Sequence, residues 1–401
     1  MMKIKLFLIA CFLLLTANIQ AHEGHTSPSK GGIAISVAFD ASGALWRASV
    51  KDEFVQVDVS RDLGKTFSKP VRINAQPQKI GADGEARPKL AIGPEGNIYV
   101  TWTEALKTPF SGYIWFARSI NQGKSFEKPM IVHQDRAEIT HRFEALNVAQ
   151  SGENKGNITV AWVDKRDLIA AKAAGKSYDG AAIYYAVSTN KGASFNLEQK
   201  LADSSCECCR IATTNKPDGT VVAMWRHVFE NSERDHMIAE IPQKAGQAPV
   251  LKRATYGHWK IDGCPHHGAA LAIGGEGKDW WGYHMAYFDG NDAKPGLYYS
   301  RMDGVAWASS VPKKFGNNAN QAGHPSLLSI GDKVWLVWRE TEAKTNMVLG
   351  MFSDDGGKSW QDAKLLASTT EKTDNPFLVT KDGQVYLAWN TAKEGFKLLP
   401  L

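Results

Sequence analysis

The chain has 401 residues, of which 43% are hydrophobic and 22% charged, with a formal charge of +5. That apolar share supplies a packed core and excludes a disordered chain. Basic and acidic residues are interleaved with no basic run, so nothing points to a nucleic-acid partner and the mild positive charge is a matter of solubility.

The first element is a targeting signal. Lys3 and Lys5 give a positive start, residues 6–15 are an apolar run, and Ala21 is a small residue at the cleavage position. Residues 1–21 therefore read as a signal peptide, residues 22–31 as a short polar leader, and residues 32–401 as one domain. The apolar run is too short to span a bilayer well, so no stable membrane insertion is expected after cleavage. The expected location is periplasmic or secreted. Cleavage after Ala21 exposes His22, which offers an amine and an imidazole, with His25 close behind; copper(II) favours such nitrogen sets.

Beyond the leader the chain repeats. Gly43, Gly96, Gly156, Gly219, Gly331 and Gly383 each mark a turn between two apolar strands. The second strand of each unit ends near an aromatic: Trp46, Trp102, Trp162, Trp225, Tyr287, Trp338 and Trp389. Such β-branched and aromatic runs are strand signals. Seven units result, the last truncated.

A shorter motif punctuates the units. It reads Ser60-Arg-Asp-Leu-Gly64-Lys-Thr-Phe67 and returns from Ser119, Ser188 and Ser353, with a worn copy from Ser300. Asp or Asn caps its own turn, Gly takes a positive φ and the aromatic plugs the sheet beneath. The motif is structural chemistry. The gap from Ser188 to Ser300 is about twice the others, so a unit without the motif is expected there.

These motifs resemble the Asp-box repeats of the sialidase superfamily. The resemblance implies an all-β propeller of four-stranded antiparallel blades around a central channel. Sialidases proper have six blades and seven units are counted here, so six or seven blades are expected. The resemblance extends over nearly all of residues 32–401 and does not by itself fix an activity.

In a propeller, residues just before each first strand converge on one face with those leaving each second strand. The first group comprises Arg87, His141-Arg142, Cys208-Cys209-Arg210, Cys264-Pro-His266-His267, His324 and Asn375. The second comprises Arg47, Glu104, Asp164, Arg226, His227, Asp289, Arg339 and Glu340. A ligand-binding funnel is thus expected from Arg87, His141, Arg142, Arg210, His267 and His324.

Two chemistries fit. The resemblance implies an arginine triad for a sialic acid carboxylate, a Tyr/Glu nucleophile pair and an Asp acid/base. Arg87, Arg142, Arg210 and Arg339 stand as triad candidates, with Arg226 besides, and Asp83 as the acid. Tyr283 and Tyr287 are the positions open to the nucleophile. The family's Arg-Ile-Pro signature is missing. The second chemistry is metal binding. Cys206-Glu-Cys208-Cys209 and Cys264-Pro-His266-His267 open adjacent units, so they are expected to be neighbours in space. They form either two disulfides, which an oxidising compartment favours, or a thiolate and imidazole set suited to copper or zinc. The same cysteine patterns, Cys-x-Cys-Cys and Cys-Pro-x-x-Gly, resemble those of a sialidase-like subgroup of unclear role.

The reading that results is an exported binding protein whose funnel holds a small polar ligand or a metal, copper first. The alternatives are an exo-sialidase or related glycosidase acting on a glycan, and a protein-interaction scaffold with a disulfide-stapled blade.

Overall fold

The computed structural model describes residues 32–401 apart from residues 83, 208, 209, 245 and 264. The signal peptide, the leader with His22 and His25, and the candidates Asp83, Cys208, Cys209 and Cys264 lie outside the described residues.

Among the described residues, 27 strands form seven antiparallel sheets, six of four strands and a seventh of three. In every sheet the strands follow chain order. The first strands are Ser36–Phe39, Lys89–Ile92, His141–Val148, Ala212–Asn215, Ala270–Gly274, Gly323–Ile330 and Phe377–Lys381. Each touches the next, and the seventh touches the first, so they form a closed ring around the channel. The protein is a seven-bladed β-propeller.

The repeat read from the sequence is the blade. The six turn glycines between first and second strands all have φ between 56° and 85°, a region costly for any residue with a Cβ. On the second strands, Trp102, Trp162, Trp225, Trp338 and Trp389 are among the largest fully buried side chains. A buried indole N–H needs an acceptor. Trp162 donates to Asp164 at 2.9 Å, Trp338 to Glu340 at 2.8 Å and Trp102 to Gln78 at 2.9 Å. Blade four, built on Ala212–Asn215, Val221–Arg226, His236–Ile241 and Val250–Arg253, is the expected blade without an Asp box.

The boxes join third strands to fourth strands. In the first, Ser60 Oγ donates to Asp62 Oδ1 at 2.7 Å and accepts from Gly64 N at 2.8 Å, while Asp62 accepts from Thr66 N and Oγ1. The box also reaches outward, which the sequence did not indicate. The box glycine sits against an aromatic ring of the preceding blade: Gly123 on Trp46, Gly192 on Phe116, Gly357 on Tyr299, and Gly64 on Phe396 of blade seven. The box aromatics follow, Phe195 edge-on to Phe116 at 4.9 Å and Trp360 to Tyr299 at 4.7 Å. Each of these four boxes therefore spaces its blade against the one before, whereas Gly304 of the worn copy meets Trp280 of its own blade.

Blade seven has only Phe377–Lys381, Gln384–Thr391 and Gly395–Pro400. It is tied to the start of the propeller near the channel. Asn390 Nδ2 donates to Ile33 O at 2.7 Å, and Ile35 N donates to Asp374 Oδ2 at 3.1 Å.

Candidate functional site

The loop ahead of blade two reaches across the channel. From it, Glu85 meets Arg210 of blade four, with Nη1 3.2 Å from Oε2, and His324 of blade six, with Nδ1 3.0 Å from Oε1. Burial alone would raise the Glu85 carboxyl, but Arg210 and then His324 outweigh it and hold it far below the usual carboxylate range. Two residues on, Arg87 donates to both oxygens of Asp374, at 2.7 and 2.6 Å, and to Ile35 O at 2.9 Å. Blade two is thus bound through one loop to blades four, six and seven. Asn375 Nδ2 lies 3.2 Å from His324 Nδ1. Burial keeps the His324 imidazole below its ordinary value, against the pull of Glu85.

Arg210 is otherwise spent on backbone. Its Nη2 donates to Ala269 O at 2.8 Å and Pro325 O at 3.1 Å. Arg87 and Arg210 are therefore held by internal acceptors, which leaves them poorly placed as a triad for an external carboxylate. Arg339 pairs in register with Gly323, and its charge acts on His324.

The wall between blades two and three holds another group. Lys89, at the start of its strand, donates from Nζ to Glu85 O at 2.9 Å. Burial and then Arg87 push its ammonium down to about 8. Thr103 Oγ1 donates to Glu144 Oε2 at 2.6 Å, and burial raises the Glu144 carboxyl. Arg142 lies over the Phe143 ring, 5.1 Å from its centre.

The two Cys/His motifs meet at their described residues. A Cβ on Gly268 would come within 2.6 Å of Arg210 Cβ. Cys206 N donates to Arg226 O at 2.9 Å, and Arg226 Nη2 donates to His267 O at 3.3 Å. Cys206 is buried, and the His267 ring stacks on Phe288 at 4.0 Å and lies 5.7 Å from that of His324. His266 has a φ of 54°, a left-handed backbone that turns the segment sharply before the strand.

The structure brings Arg87, Arg210, His267 and His324 to one region and separates others. His141 is fully buried inside blade three, stacked on His133 at 4.0 Å with Nδ1 3.0 Å from Gly112 O. Successive strand side chains take opposite faces, so His141 and Arg142 cannot both line the funnel. Arg47 lies at the box end of blade one, paired with Asp58 at 2.7 Å and stacked over Phe67 at 3.6 Å. Tyr283 and Tyr287 are buried in the apolar core with Met285 and Met302. Sequence reasoning missed Glu85, Lys89, Glu144 and Asp374. The first and last sit one or two residues from Arg87 and Asn375, so reading the whole segment before each strand would have included them.

Among the described residues one cluster has metal-like spacing, Glu233, Asp235 and His258, outside the predicted set. Arg253 already pairs with both carboxylates. It is an ion-pair network on blade four.

No family model and no curated protein matches the chain. Solved structures do. A polysaccharide lyase, ulvan lyase, superposes with a TM-score of 0.55 at 11% identity over 94% of each chain. An α-L-arabinofuranosidase of Fusarium graminearum gives 0.50 at 12% identity, over 81% of this chain and 93% of that one. A Hadza microbial sialidase gives 0.46 at 13% identity, over 89% and 76%. At such identities the likeness concerns the fold alone, and that fold is the seven-bladed β-propeller.

Proposed function

We propose that this is an exported binding protein whose central funnel holds a small polar ligand. The observation that carries the reading is the convergence on one loop, Glu85 to Arg87, of charged and imidazole groups from blades four, six and seven. Charged groups gathered at low dielectric around a channel mouth favour a polar ligand over an apolar one. The test is thermal unfolding of the full protein against a panel of small polar ligands: sugars, sugar acids, amino acids and carboxylates. A saturable shift is expected, lost when Arg210→Met breaks the ion pair that holds Glu85 in the funnel. No shift from any member sinks the reading. Export is tested on its own by sequencing the amino terminus of the secreted protein, which is expected to begin at His22.

A metal in the same region is the second reading, favoured by the close approach of the two Cys/His segments at Gly268 and Arg210. Copper comes first and zinc second, with Cys206, Cys208, Cys209, Cys264, His266 and His267 as the donor set. Metal analysis of protein purified after export decides it. Stoichiometric metal is expected; its absence with all four thiols in disulfides overturns the reading.

A further inference from the structure

Blades three and six carry the same irregularity at the mouth of the funnel. In blade three the register slips by one residue between the pairs Arg142–Val163 and Ala145–Ala161. In blade six it slips between Gly323–Arg339 and Ser326–Val337. Each bulge contains a bulky residue in the left-handed region, Phe143 at φ 58° and His324 at φ 53°. Such backbone is costly for residues of that size and persists where it aims a side chain. In blade six the purpose is visible, because the bulge delivers His324 to Glu85.

In blade three the bulge delivers side chains that the chain leaves unanswered. Among the described residues, Glu144 Oε1 is buried and accepts no hydrogen bond, although the residue is only 4% exposed. Beside it, Arg142 Nε is buried without a partner. Its contact is the face of Phe143. Glu144 acts electrostatically on both Arg142 and Lys89, so one carboxylate faces two cations. A buried acceptor and a buried donor left open together mark a place for a molecule that supplies both complements.

The charge balance and the geometry define that molecule. A guanidinium presents a planar fork that matches a carboxylate. The surplus of cations over anions suits one negative charge, and Glu144 would repel a second. The open Glu144 oxygen calls for a hydroxyl donor. We propose that this wall, formed by Lys89, Thr103, Arg142 and Glu144, is a subsite for a hydroxylated carboxylic acid of the uronate class. Arg142 takes the carboxylate and Glu144 Oε1 accepts from a ring hydroxyl. The assignment rests on the funnel-binding reading above and deepens it.

Isothermal titration of the full protein with glucuronate, glucose and acetate at neutral pH tests it. Glucuronate is expected to bind and glucose not. Arg142→Met is expected to weaken glucuronate by about tenfold or more, the loss of a charge-assisted bond. Glu144→Gln is expected to weaken glucuronate more than acetate, because acetate brings no hydroxyl. Thermal unfolding of both variants checks that they fold. Glucuronate that fails to bind, or that binds the two variants as tightly as the parent, overturns the subsite. If the affinity falls only in Arg210→Met, the ligand lies elsewhere in the funnel and the broader reading stands. If no polar ligand of the wider panel binds either, both readings fall.

Discussion

Arg87 and Asp374 lie 287 residues apart and form a two-pronged pair at 2.6 and 2.7 Å, with Asp374 fully shielded from solvent. The pair joins the second blade to the last, and Asp374 also holds Ile35 N at the start of the first. Ring closure in this propeller is thus partly ionic and lies at the funnel.

Removing one partner of a buried pair leaves the other charged and dry. Arg87→Met is expected to cost about 3–5 kcal/mol in denaturant unfolding. Burial already raises the Asp374 carboxyl to about 6, against the pull of Arg87. Without Arg87 it rises further. A carboxyl raised in the folded state binds its proton more tightly there than in the unfolded chain, so stability falls as pH rises through its pKa. The deficit of Arg87→Met is therefore expected to deepen above about pH 6, where the carboxyl ionises in the parent and stays protonated in the variant. A deficit that does not change with pH would show that the lost term is packing.

Glu85 titrates in the opposite sense. Its carboxyl is held down in the folded state by Arg210 and His324 in spite of burial. Such a group stabilises the fold above the ordinary carboxylate range, and the contribution is lost as pH falls. The stability difference between the parent and Glu85→Gln is expected to be largest near neutral pH and to shrink between about pH 5 and pH 3. Urea unfolding at stepped pH measures it, and a difference that grows on acidification contradicts the assignment.

The propeller was legible because its signals are local. A turn glycine, a strand ending in an aromatic and an Asp box each lie within a few residues, and their spacing counts blades. Blade four appeared as a gap between Ser188 and Ser300 for the same reason. The site was legible only in part. Position before a first strand located Arg87, Arg210 and His324, but not which way each side chain turns. His141 and Arg142 show the limit, since a bulge of one residue decides which faces the channel. Glu85 and Asp374 were missed because their partners are distant in sequence and no spacing encodes the pairing.

The box glycines are expected to matter for blade spacing and not for binding. At Gly357 φ is 77° and a Cβ would lie 1.8 Å from Tyr299 Oη, itself 2.6 Å from His284 Nδ1. Gly357→Ala is expected to destabilise by about 2–4 kcal/mol, from left-handed backbone together with overpacking. Thermal unfolding reads the loss. Ligand affinity measured well below the transition is expected to be unchanged, and a parallel loss of affinity would give the box a part in the site.

Tyr283 separates a hydrolytic use of this fold from a binding one. Its ring is fully buried beside Trp280 and Trp307, and burial pushes its phenol well above the usual tyrosine range. Its hydroxyl has no hydrogen-bond partner among the described residues. A nucleophile needs access to substrate and an adjacent base, and this phenol has neither. Tyr283→Phe removes an unsatisfied buried hydroxyl and is expected to leave stability within about 1 kcal/mol of the parent, or to raise it. It is also expected to leave any release of a fluorescent aglycone from sialosides as it is in the parent. Loss of such turnover in a well-folded Tyr283→Phe protein would return the phenol to a catalytic role and require blade five to open toward the funnel.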